Sequence, residues 1–157
     1  MSRLVVLCAL LAAALAVPPV ASADPAAPQP DSPCPAEFTG ATTMLPGQSL
    51  PLVCQGQRWQ AVTAPGDPSD RWVSFGPAMA LHGEGLRNPN LASGAWTATP
   101  LEPDARCAST QHAVVSAGVV GPQVTAEGSP GQPLSLQVLP SLFDISMAGY
   151  CLWTRTG

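Results

Sequence analysis

Proline and glycine interrupt this chain so often that a long helix has nowhere to form once the first 23 residues are passed. The longest later stretch free of both runs from Asp104 to Ala117. An interior proline costs a helix about 3 kcal/mol and a glycine about 1 kcal/mol, and every other gap is shorter than the mean helix of about 11–12 residues. Asp104 to His112 is expected to begin as a helical turn capped by Asp104, before Ala113-Val114-Val115 turns extended. The remaining segments read as short strands over Leu50–Cys54, Arg58–Thr63, Arg71–Phe75, Met79–His82, Gly94–Thr99, Val114–Val120, Leu134–Leu139, Leu142–Met147 and Tyr150–Thr154. The pattern is clearest near the end of the chain. Leu134, Leu136 and Val138 alternate with Ser135 and Gln137, and Phe143, Ile145 and Met147 alternate with Asp144, Ser146 and Ala148. A period of two puts the apolar set on one face of a strand. Turns such as Pro46-Gly47, Gly76-Pro77, Gly121-Pro122 and Ser129-Pro130-Gly131 punctuate the series. The fold class is therefore expected to be all-β: a small, loop-rich antiparallel sandwich or barrel.

The opening residues read as a signal and not as part of the domain. Arg3 precedes an apolar run from Leu4 to Val17, and Ala21-Ser22-Ala23 has the small residues of a cleavage site, so residues 1–23 are expected to be a secretory signal peptide. Cleavage there would leave 134 of the 157 residues. Residues 24–33, rich in Pro and Ala, are expected to be a disordered or polyproline-like lead, and residues 34–157 a single domain. No later apolar run reaches the roughly 18 residues of a membrane span.

Export decides how the cysteines are read. Setting aside Cys8 in the signal leaves Cys34, Cys54, Cys107 and Cys151. An even number in an oxidising compartment implies two disulfides, with three possible connectivities. The pairs Cys34–Cys54 and Cys107–Cys151 are favoured because each closes a local loop that one hairpin or meander can satisfy. Zinc is disfavoured because no C-x-x-C pair is present. The two histidines show no H-x-H or H-x-x-x-H spacing, so neither a metal nor another cofactor is implied.

Charge narrows the range of partners. All six basic residues of the full chain are arginine, the net charge is −4, and charged residues make up only 10% of the sequence. So little positive charge provides no electrostatic footprint for nucleic acid. The expected partners are an envelope glycan or another exported protein, with the product secreted or held in the cell envelope.

The densest polar cluster is Ser69-Asp70-Arg71-Trp72 together with His82-Gly83-Glu84-Gly85-Leu86-Arg87-Asn88-Pro89-Asn90. Binding groups collect on such loops when rigid strands hold them. Arg71, Trp72, His82, Glu84, Arg87 and Asn88 are the candidate binding residues from this cluster. His82 and Glu84, two apart, would share a face if the strand continued through them. The bland alternative is a surface turn with Asp70–Arg71 or Glu84–Arg87 as solvated ion pairs. Trp59 and Trp96 complete the candidates as an exposed aromatic platform for sugar rings, against the simpler reading of all four tryptophans as packing anchors. His112 reads as a half-exposed structural imidazole. No G-x-S-x-G elbow or phosphate-binding glycine loop occurs.

Cys54, Trp72 and Cys107 follow the order of an immunoglobulin core, but Tyr150 directly precedes Cys151 where that family places it two residues earlier, so only the sandwich is retained. The signal peptide, the Pro-rich lead, the lysine-free composition, the four cysteines and the phrase SDRWVSFGPAMALHGEGLRNPN resemble small exported actinobacterial proteins of the mycobacterial type. That resemblance implies secretion or envelope association and carries no functional residue. The expected function is a non-catalytic interaction module, with a glycan or small-ligand binding domain as the first alternative and a cell-wall-directed hydrolase as the second.

Overall fold

A computed structural model of the chain describes residues 25–157. The signal-peptide reading of residues 1–23 lies outside the described residues. A single 3-10 turn, Ala36–Phe38, precedes twelve strands: β1 (Thr42–Thr43), β2 (Leu52–Gln55), β3 (Arg58–Ala61), β4 (Arg71–Ser74), β5 (Met79–His82), β6 (Gly94–Pro100), β7 (Ala108–Ser116), β8 (Val119–Val120), β9 (Val124–Glu127), β10 (Leu134–Val138), β11 (Leu142–Ala148) and β12 (Cys151–Arg155). They form two sheets, neither closed into a barrel. The larger sheet has the order β10-β6-β12-β4-β1-β2-β3, and the smaller runs β5-β11-β7-β8 with β9 also on β7. The expected sandwich is present. Pairing is antiparallel throughout except for β1 and β4, which run parallel where Thr42 meets Trp72.

Alternation along the strands builds two cores on opposite faces of the larger sheet. Trp72, Trp96, Ala98, Leu136, Val138 and Trp153 point toward the smaller sheet and meet Met79, Leu81, Leu142, Ile145 and Met147. Cys107 and Cys151, both fully buried, form the second of two disulfides inside this layer. A buried glutamine crosses the same layer: Gln111 Nε2 donates to the Gln137 carbonyl at 2.9 Å, and its Oε1 accepts from Leu139 N–H at 3.0 Å. Val73, one residue on from Trp72, faces the other way. It joins Phe38, Ala41, Leu52, Trp59 and the Cys34–Cys54 disulfide in an outer core. Trp59 packs against Phe38 and Phe75 with ring centroids 6.3 and 6.1 Å apart, the range of favourable aromatic pairs.

Several expectations are corrected here. Asp104 to His112 forms no helical turn. Gln111 and His112 lie inside β7, where ladder bonds to β9 and β11 on both sides outweigh a marginal local helix. The stretch Val114–Val120 is not one strand, because a turn at Ala117-Gly118 folds it into a hairpin. The lead is not disordered along its whole length. Trp59 N–H donates to the Ser32 carbonyl, Asp31 N–H to the Trp59 carbonyl, and Cys34 N–H to the Gln57 carbonyl. Those bonds lay residues 31–34 along the free edge of β3, which would otherwise be an exposed pairing edge.

Candidate functional site

The inner face of the larger sheet extends past β5, the last strand of the smaller one, and a cleft opens there. Val53, Thr42 and Trp72 stand side by side across β2, β1 and β4 and contribute to its floor. Ser49, Leu50 and Pro51 of the β1–β2 connection line one part of the cleft, and two further connections form the walls. The first leads from β3 to β4 and supplies Val62, Pro65, Asp67 and Ser69. The second leads from β5 to β6 and supplies Arg87, Asn88, Pro89 and Asn90, with His82 at its start. The cleft encloses about 540 Å³, within the roughly 300–1,000 Å³ of small-molecule sites.

Backbone and side-chain bonds hold the walls in place. Ser69 N–H donates to the Asn90 carbonyl at 2.8 Å and so ties one wall to the other. Asn90 then acts as an added rung on β5: its N–H donates to the His82 carbonyl at 2.8 Å, and its Oδ1 accepts the His82 N–H at 2.9 Å. His82 Nε2 lies 2.8 Å from the Asn88 carbonyl. A carbonyl can only accept, so this nitrogen carries the hydrogen. Farther along, Glu84 Oε2 accepts the Ser93 N–H at 2.9 Å. The bonds from Ser93 hold the Glu84 carboxyl below its usual range. Gly83 and Gly85 let this connection lie directly on β11. A Cβ at Gly83 would come within 2.5 Å of Leu142 Cβ, and one at Gly85 within 2.6 Å of the Ser141 carbonyl.

Of the eight residues singled out in the sequence, Trp72, His82, Arg87 and Asn88 line this cleft. The other four have different surroundings. Arg71 lies across the sheet, with its guanidinium donating to the Thr39 and Glu37 carbonyls at 2.7 and 2.9 Å. Glu84 binds Ser93 and does not pair with His82, because β5 ends at His82 and the chain turns away at Gly83. Trp59 and Trp96, the residues of the exposed-platform alternative, are 2% and 1% accessible, as the simpler packing-anchor reading has them. All four tryptophans are buried, so none presents an open ring face to a sugar. The ion pairs differ as well: Asp70 faces Arg155 at 3.6 Å, not Arg71.

Two features had no sequence signal. Asp144 lies opposite both His82 and His112 in the smaller sheet, and its Oδ1 accepts from His112 Nδ1 at 2.7 Å. Because β11 is central in that trio of strands, only the register reveals the meeting. No group of three or more His, Cys, Asp or Glu among the described residues is arranged to hold a metal ion. The other feature is a run of exposed valines, Val115, Val119 and Val120 on the β7–β8 hairpin and Val124 at the start of β9.

Fold and cleft together define a two-sheet, disulfide-stapled β domain with a half-open cleft beside its smaller sheet. No protein-family model, no curated protein and no solved structure matches the chain. Its two disulfides point to an oxidising, extracytoplasmic environment. No helix among the described residues is long and apolar enough to cross a membrane.

Proposed function

We propose that this is an exported, non-catalytic binding module, secreted or held in the cell envelope, that captures a small ligand in the cleft between the β3–β4 and β5–β6 connections. One observation carries this reading. An apolar lining (Leu50, Pro51, Val53 and Val62, with the buried Trp72 beneath) meets a polar rim (Ser69, His82, Arg87, Asn88, Asn90) in a single concavity, the combination that small-molecule sites use for affinity and orientation. The walls are cross-linked before any ligand arrives, by Ser69 to Asn90 and by Asn90 to His82. A preformed site loses less entropy on binding. Burial of all four indoles favours a small ligand held in the cleft over a glycan stacked on a flat aromatic surface.

The test is a ligand screen read by ¹⁵N–¹H NMR on the disulfide-bonded protein. The expected hits move the Trp72 indole and the Ser69, Asn88 and Asn90 amides together, and lose that effect in Val53→Trp, which fills the floor. Hits whose shifts map only elsewhere, or that survive Val53→Trp unchanged, would overturn the cleft as the binding site.

A further inference from the structure

The arginines divide unequally. Arg58 donates to the Asp31 carbonyl. Arg71 holds two carbonyls, Arg106 pairs with Glu127 at 2.7 Å, and Arg155 faces Asp70 at 3.6 Å. Among the described residues, Arg87 alone has neither an acidic partner nor a side-chain hydrogen bond. It stands on the rim of the cleft. In a chain without lysine and with a net charge of −4, an uncommitted guanidinium is the scarcest surface group. Its planar fork matches a carboxylate in a bidentate pair.

We propose that the cleft takes a small amphiphilic carboxylate, with its alkyl or aryl body on the Val53–Thr42–Trp72 floor and its head group on Arg87. This rests on the reading of the cleft as the binding site. The floor supplies no charge of its own, so the body is held by apolar contact and the head alone sets the polarity. Asp67 belongs to the opposite connection, where its carboxylate repels an anion. The charges of the two walls favour a head group near Arg87 and away from Asp67. The guanidinium is exposed and the apolar floor is recessed, as needed for an anionic head at the mouth and a tail inside.

The experiment titrates the disulfide-bonded protein with decanoate and with 1-decanol, a neutral probe of equal length, both below their aggregation limits, by calorimetry and NMR. Decanoate is expected to bind about tenfold more tightly, the scale of one charge-assisted contact. Arg87→Gln should remove that preference and leave 1-decanol unchanged, and Arg87→Lys should restore part of it. Equal affinity for the two probes, or a decanoate affinity unmoved by Arg87→Gln, overturns the carboxylate assignment while the cleft reading stands. If neither probe binds, or if both bind equally to Val53→Trp, the cleft reading falls as well.

Discussion

The two cores of this protein are built from the same materials in different ways. The layer between the sheets is covered on both faces, by the larger sheet and by the smaller one. It holds three of the four tryptophans, and its disulfide joins residues 44 apart in sequence. The outer core is a cap on one face of the larger sheet. Its disulfide joins residues 20 apart, and Leu45, Phe75, Leu101, Tyr150 and Leu152 remain only partly buried around it. The lesson is that the first staple fixes how the sheets meet, whereas the second fixes where a local hairpin and the Pro-rich lead settle. The cleft borders the first region, since Trp72 belongs both to the inter-sheet core and to the cleft lining.

Removing each bridge tests that contrast most severely. Loop-closure entropy assigns roughly 4 kcal/mol to the Cys107–Cys151 loop and roughly 3 kcal/mol to the shorter Cys34–Cys54 loop. Urea unfolding of the paired alanine variants should show Cys107→Ala/Cys151→Ala as the less stable of the two. Its cleft amides should also be disturbed, and those of Cys34→Ala/Cys54→Ala should not. The reverse order would break the comparison.

A smaller effect lies in one buried hydroxyl. Ser74 Oγ accepts from the Trp153 indole at 2.9 Å and donates to the Gly149 carbonyl at 2.6 Å. Ser74→Ala leaves a buried indole N–H without a partner, a loss of about 1–3 kcal/mol. On the outer core, Tyr150→Phe should stay within about 0.5 kcal/mol, since that side chain is half-exposed. Thermal or urea unfolding of the two variants side by side checks the difference.

The mildest effects come with pH, and they should separate the regions by opposite signs. Glu84 has a folded-state pKa below its ordinary value, owing first to its bonds from Ser93. Its contribution is present above the unfolded value and is lost as pH falls through the folded one. Tyr150 has a raised pKa, chiefly through burial and then through Glu102 and Glu37. Its contribution is present below the unfolded value and is lost as pH rises through the folded one. Amide protection factors, corrected for the intrinsic exchange rate at each pH, should therefore fall with acid in the connection from Gly83 to Ser93 and with alkali around Phe38 and Phe75. Glu84→Gln and Tyr150→Phe should each abolish one of these responses and leave the other.

Four of the eight residues singled out in the sequence line the cleft, and the failure of the aromatic-platform alternative is instructive. Arg58-Trp59-Gln60 and Ala95-Trp96-Thr97 looked exposed because polar neighbours flank one indole and small residues the other. On a strand, flanking polar residues point to the opposite face, so the same pattern places the tryptophan inward. The pairing of His82 with Glu84 failed for a related reason, since it assumed that β5 continued through Gly83. Conversely, Asp67 and Val53 could not be joined to Arg87 from spacing, because they belong to separate segments brought together by pairing register.

The sequence by itself determined that the chain is mostly extended and loop-rich, because proline and glycine leave room for a helix only between Asp104 and Ala117 and alternation marks the strand faces. It also determined which cysteines could pair locally. Tertiary structure alone decided that β1 runs parallel to β4, that the lead lies along β3, and that β5 stops short of the larger sheet's edge and so leaves the cleft open. Those outcomes depend on which long-range backbone bonds and buried side chains fit together at once, and that is a property of the packed whole.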